Sequence, residues 1–258
     1  MHPILLQIYG FKLYTYGLFV AIGFMTAIWI SKKNARSHDI SDQTITDVFF
    51  IILVSALVGA RFLYVLINFD AYKNNWLDIF KIWNGGLVFF GGFLAAVIVT
   101  AVYLKMRNLN IWKIADIISP GAAFGHAMGR IGCFFAGCCY GKECDLPIAV
   151  KFTNPESLAP IGVYLHPTQL YSVLSNMILF FILLWLQKRK KFNGMVFLSY
   201  IMLYSLFRSI IEFFRGDFRG TFFFNFISMS QGIGFFVFVI ALIIILKRSN
   251  LFYGPKEK

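Results

Sequence analysis

Seven stretches long enough to cross a bilayer, each dominated by apolar residues, recur along this chain at residues 14–30, 48–67, 87–104, 114–139, 170–186, 195–214 and 226–246. A helix needs about 20 residues per crossing, so 258 residues accommodate seven spans with short connections. Only 14% of the residues are charged and 59% are hydrophobic, against roughly 25% charged in soluble domains. A water-soluble enzyme is therefore excluded, and 31 Phe with 12 Tyr exclude a disordered chain. The expected fold is an all-α polytopic membrane protein, a single transmembrane domain over residues 1–258. The fourth stretch is rich in Gly and Ala and carries Pro120, His126 and Arg130. It reads as a broken or protein-buried span, because irregular backbone at membrane depth is tolerated only away from lipid. The first stretch has no basic region before it and no small-residue cleavage site after it, so it is expected to stay as a span.

The net charge of +12 is a topology signal rather than a nucleic-acid footprint. Fourteen Lys and Arg fall after spans one, three, five and seven: Lys32, Lys33, Arg36, Lys105, Arg107, Lys113, Lys188, Arg189, Lys190, Lys191, Lys247, Arg248, Lys256 and Lys258. Seven fall on the other side: Lys12, Lys73, Lys81, Lys142, Lys151, Arg215 and Arg219. The basic excess marks the cytoplasmic face, which puts the N-terminus outside and the C-terminus inside.

Charges within the spans are costly, about 2.5–3.5 kcal/mol each on the mildest scale, and mark functional interiors. The topology puts Arg61, Arg130, Arg208 and Glu212 in outer halves of their spans. Tyr204, Arg208 and Glu212 follow at i,i+4 steps and share one helix face. Three guanidinium groups facing one carboxylate leave a cationic cavity suited to a phosphate; mutual neutralisation of Arg208 and Glu212, with the rest snorkelling, is the blander account. An arginine-lined cavity also suits an anion or lipid transporter, although no inverted repeat is visible.

The segment Gly85-Gly86-Leu87-Val88-Phe89-Phe90-Gly91-Gly92 opens span three. Its glycines permit either backbone approach to an anion or close helix packing. The longest outer loop, residues 140–167, contains Pro147, Pro155 and Pro160 and ends at Pro167; it is long enough to cover a site. Cys133, Cys138, Cys139 and Cys144 lie within twelve residues. Their spacing, with or without His126, matches no standard zinc pattern, and no metal is expected. Apolar packing of the thiols is the leading account, with a disulfide through Cys144 second. His126 is expected to bond between helices.

Four motifs resemble, in order and spacing, those of the bacterial prolipoprotein diacylglyceryl transferase family: the glycine segment above, Gly129-Arg130-Ile131-Gly132-Cys133-Phe134, His166-Pro167-Thr168-Gln169-Leu170-Tyr171, and Arg208-Ser209-Ile210-Ile211-Glu212-Phe213-Phe214-Arg215. The likeness extends from Tyr14-Thr15-Tyr16-Gly17-Leu18 to Ser228-Met229-Ser230-Gln231. It implies a multi-pass inner-membrane enzyme, without a cofactor. Such an enzyme moves the diacylglyceryl group of phosphatidylglycerol to the lipobox cysteine of a preprolipoprotein and releases glycerol 1-phosphate. By matching position it implies catalytic roles for Arg130, Arg208, Glu212, His166 and Tyr204. Substrate contacts fall to Arg130, Arg61, Tyr16, Gly91, Gly92 and Gln169.

The chain departs from that pattern in two places. Phe90 stands where many members have a histidine, and Cys133, Ala136 and Cys138 stand where Asn, Asn and Glu are usual. A related transferase with another lipid donor or acceptor is the corresponding alternative.

Overall fold

The computed structural model describes residues 1–8, 11–73, 75–217, 221–222 and 227–253. Arg219, Lys256 and Lys258, counted above for topology, lie outside the described residues. A hairpin of β1 (Ile4–Ile8) and β2 (Phe11–Tyr14) leads into α1 (Thr15–Arg36). There follow α2 (Asp42–Ile67), the short α3 (Phe69–Tyr72), α4 (Phe89–Met106) and α5 (Ile111–Ala136). A small hairpin, β3 (Val150–Lys151) with β4 (Tyr164–Leu165), precedes α6 (Thr168–Arg189) and α7 (Met195–Glu212). The chain ends in β5 (Thr221–Phe222), β6 (Ile227–Ser228) and α8 (Met229–Tyr253).

Six of these helices, α1, α2, α4, α6, α7 and the 230–249 part of α8, are long and apolar enough to cross a membrane. Large apolar side chains such as Phe50, Phe62, Phe235 and Phe236 stand exposed on them, as a lipid-facing surface requires. The fourth expected span, α5, is outside that set by composition. It is unbroken: Pro120 sits inside the helix, and none of its residues after Ile111 is exposed. Of the two forms anticipated, buried rather than broken describes it.

The chain divides into two compact units, Met1–Ser31 with Ala115–Lys258, and Lys32–Ile114, so that the boundaries fall inside α1 and α5. In the second unit α2 and α4 meet over small residues. A Cβ on Gly91 would come 2.4 Å from the Gly59 carbonyl oxygen, and one on Gly92 would come 2.7 Å from that of Ala56. Lipid tails offer no hydrophobic drive between helices, so close backbone contact supplies the attraction. Of the two roles open to this glycine pair, helix packing is what the contacts support.

In the first unit α1 crosses α5 the same way. Gly121 packs on the Ala27 carbonyl and Gly125 on Gly23. Ala123, Leu179, Leu183 and Val196 form a buried cluster joining α5, α6 and α7. At one end of α5, the fully buried Asp116 accepts from the Gly194 and Phe197 N–H groups at 2.8 and 2.9 Å, with Lys190 Nζ at 3.6 Å. This carboxylate caps the start of α7, a role that its place in the sequence does not announce.

The 140–167 loop has a core of its own, with Phe152, Ala159 and Leu165 buried against Phe134 and Tyr140. Lys12 on β2 donates to Glu156 at 3.0 Å, a pairing that raises the lysine's pKa. The glycine contacts set a stability contrast. Gly91→Ala forces the Gly59 backbone aside and is expected to destabilise by about 1–3 kcal/mol in detergent unfolding. Gly17→Ala, with nothing within 4 Å of the added carbon, is expected to be neutral or slightly stabilising.

Candidate active site

The polar residues of α5 and α7 meet in a narrow pocket of the first unit, lined by His126, Arg130, Tyr204 and Arg208 together with Ser172, Ser175 and Asn176 of α6. Helical spacing explains the pairs: His126 and Arg130 are one turn apart, as are Tyr204, Arg208 and Glu212. Arg130 Nε donates to His126 Nε2 at 3.2 Å, and the His126 ring packs on Tyr204 with centroids 5.1 Å apart. His126 thus bonds within its own helix and stacks across to α7. The terminal Nη groups of Arg130 make no protein hydrogen bond among the described residues, and this guanidinium is half-buried. A half-buried fork with unengaged donors is a ready anion ligand.

Glu212 organises the other cations. Arg208 ion-pairs with it and also donates to Ser230 Oγ at 3.3 Å, while Ser230 donates to the second Glu212 oxygen at 3.2 Å. Arg215 Nε lies 3.6 Å from the same carboxylate and forms a two-pronged pair with Asp217, Nε to Oδ1 at 2.9 Å and Nη2 to Oδ2 at 2.5 Å. Of the three arginines expected to face Glu212, only Arg208 pairs with it among the described residues; the second arginine beside it is Arg215, which the charge count had placed in an outer loop. Its position three residues after Glu212 was the available signal. Ser230 carried none beyond its place in the last motif.

Arg61 belongs to the second unit and spends its five N–H groups on backbone carbonyls. Nε reaches Ile79 at 2.7 Å, Nη1 reaches Gly85 and Gly86 at 2.8 and 3.2 Å, and Nη2 reaches Asp78 and Lys81 at 2.7 and 3.4 Å. Gly86 has φ +74°, and a Cβ there would lie 2.7 Å from Arg61 Nη1, so a glycine is needed for the loop to close on the arginine. Phe90 is exposed near the start of α4.

Two further motif residues, His166 and Gln169, hold the 140–167 loop, and a third, Tyr16, packs on α5. His166 Nδ1 is 3.0 Å from the Tyr171 hydroxyl, and its ring lies edge-on to Phe214. Around it the backbone interlocks: Gly141 N–H donates to His166 O, His166 N–H to Lys142 O, and Lys142 N–H to Phe214 O, at 2.8–3.0 Å. Gln169 is fully buried and donates to Cys138 O at 2.8 Å, leaving its own carbonyl oxygen without a partner. Tyr16 packs against Gly132 of α5.

A model of the prolipoprotein diacylglyceryl transferase family matches residues 3–247. The chain belongs to that family. It is 34% identical over 244 residues to the phosphatidylglycerol–prolipoprotein diacylglyceryl transferase of Clostridium tetani, covering 95% of this chain and 96% of the relative. It is 31% identical to enzyme 2 of that name in Clostridium perfringens, over 100% and 98% of the two chains. The Finegoldia magna protein of the same name is 33% identical over the full length of both. Family and apolar helices together make this a multi-pass bacterial membrane protein.

The loop contacts of Arg61 generate an expectation. Arg61→Lys keeps the charge but forfeits the planar fork. Limited proteolysis should then cut within residues 73–88 at least tenfold faster than in the parent, with α2 and α4 still inserted.

Proposed function

We propose that this chain transfers the diacylglyceryl group of phosphatidylglycerol to the lipobox cysteine thiol of preprolipoproteins, releasing glycerol 1-phosphate. The observation that carries the reading is the unengaged guanidinium fork of Arg130 in a pocket shared with Arg208, within a chain of this family. Transfer forms a carbon–sulfur bond as the carbon–oxygen bond to phosphate breaks. The developing charge sits on the leaving phosphate, where fixed cations act best. Arg130 would grip two phosphate oxygens, with Arg208 opposite, oriented by Glu212 and Ser230. Three arginines against Glu212 and Asp217 leave one positive charge for the ester. Tyr204 holds His126, and through it Arg130.

His166 and Gln169 act as positioning residues that seat the loop. Arg61 shapes the 78–86 loop, and Gly91 and Gly92 bring α4 onto α2; Tyr16 braces α5 from α1. Substrate contact is thereby concentrated on Arg130 and Arg208. The transporter alternative has nothing in its favour beyond the arginines. No nucleic-acid role is proposed.

We also propose that α5 is a seventh span, so that residues 1–258 form one catalytic domain of the inner membrane, N-terminus outside and C-terminus cytoplasmic. Seven crossings place the termini on opposite faces and six place them together. Reporters fused at the two ends should therefore show opposite locations, with the C-terminal one cytoplasmic; a shared location would remove α5 as a span.

Activity is tested by incubating purified protein with phosphatidylglycerol and a lipobox peptide and measuring glycerol phosphate. Both Arg130→Ala and Arg130→Lys should lose most turnover, by about 100-fold or more if the fork is worth the roughly 3 kcal/mol typical of such donors, while the protein still inserts. Near-normal turnover in the lysine variant would reduce Arg130 to a counter-charge. Glu212→Gln should cripple turnover by releasing the arginines, and His166→Ala should slow it less. Phe90→His should leave it active; a hundredfold gain there would mark the chain as a repurposed relative.

A further inference from the structure

None of the four cysteines bridges another. Three of them are brought together: the sulfur atoms of Cys133, Cys138 and Cys139 all lie within 4.8 Å of one another. We propose that these three thiols form a trithiolate site for a thiophilic divalent cation, zinc, at the C-terminal end of α5.

The geometry arises from how the helix stops. Cys133 occupies the last turn of α5, and the chain then leaves the helix through two left-handed residues, Gly137 at φ +78° and Cys139 at φ +61°. A side chain at 137 is disfavoured by the left-handed backbone and would crowd Ser157 Oγ and the Ala159 nitrogen. Left-handed backbone is disfavoured for a residue with a Cβ, yet Cys139 adopts it, and the turn carries both later thiols back to Cys133. The turn is then pinned from α6: Thr168 Oγ1 donates to Cys139 O at 2.7 Å, and Gln169 Nε2 to Cys138 O at 2.8 Å. Zinc with sulfur ligands at about 2.3 Å in a tetrahedral arrangement sets them about 3.8 Å apart. The three thiols thus need to close by no more than about 1 Å, which side-chain rotation supplies.

The surroundings suit the loaded site. Three Cys–SH groups and one divalent cation give a complex of charge −1 with release of three protons. Arg215 hydrogen-bonds Cys139, and Arg130 is close enough to act on Cys133 and Cys139 electrostatically. Cations of this kind fix and neutralise metal-bound thiolates from the second sphere. Among the described residues the group comprises these three ligands and no fourth. Closed structural zinc sites use four protein ligands, whereas three with an open position leave room for water or an external thiol.

Cobalt(II) is the probe. The full chain, purified in detergent, reduced and freed of metal under argon, is titrated with Co²⁺ alone. One equivalent should produce a thiolate-to-cobalt charge-transfer band with the intense visible bands of tetrahedral cobalt, and one equivalent of Zn²⁺ should erase both. Cys133→Ser, Cys138→Ser and Cys139→Ser should each weaken binding at least about tenfold and reduce the charge-transfer intensity, whereas Cys144→Ser should change neither. Only the weak spectrum of octahedral cobalt in the parent protein would overturn the proposal, and so would an unchanged spectrum in the triple serine variant. Because the parent spectrum is decisive by itself, poor folding of a variant leaves the test intact. The readout is independent of lipid transfer, so its failure and that of the proposed function are told apart.

Discussion

A polar group packed among apolar helices has to find its partner within the protein, and α5 is where this chain concentrates such groups. Its near end carries Asp116, which caps α7. Its middle carries His126 and Arg130, facing α7. Its far end carries the thiols, which turn back under α6. No residue of α5 after Ile111 is exposed, so each of these groups is satisfied by protein or offered to a ligand. The glycines at 121 and 125 let α1 approach the helix closely, and this closeness holds the polar face in register with the pocket.

The site follows from how the charges are shared. Arg208 and Arg215 are both committed to Glu212, and Arg215 also to Asp217, whereas among the described residues Arg130 hydrogen-bonds only His126, through Nε. A half-buried arginine whose terminal groups are unengaged is disposed to take up an anion. That asymmetry separates a ligand-binding arginine from organising ones, and it runs opposite for Arg61, whose five donors are all used on the 78–86 loop. Charge alone made the three span arginines look alike; hydrogen-bond bookkeeping distinguishes them.

The thiols add a second chemistry beside the first. In place of the polar side chains usual around this arginine, Cys133 and Cys138 present sulfur, and Cys139 joins them by a backbone turn. A cluster of soft ligands next to a cationic pocket gathers two of the departures, Cys133 and Cys138, into one physical object; Ala136 and Phe90 are not part of it.

Much was legible in the sequence because the relevant signals are local or periodic. Apolar run lengths identified the six helices long and apolar enough to cross a membrane, and i,i+4 spacing put Tyr204, Arg208 and Glu212 on one face. The motifs pointed to the family that the comparisons then established. Partners distant in sequence were not legible. That Arg215 joins Glu212, that Asp116 caps a helix 78 residues on, and that Gln169 and His166 seat a loop all depend on which helices touch. The cysteine spacing fits no linear zinc pattern because the clustering is made by two left-handed residues, a backbone choice that side-chain identity does not announce. The sequence by itself determined which segments are long and apolar enough to cross a membrane and which polar residues they carry; only the tertiary structure decided which of those hydrogen-bonding groups are satisfied and which are left for a ligand, because that depends on distances between helices.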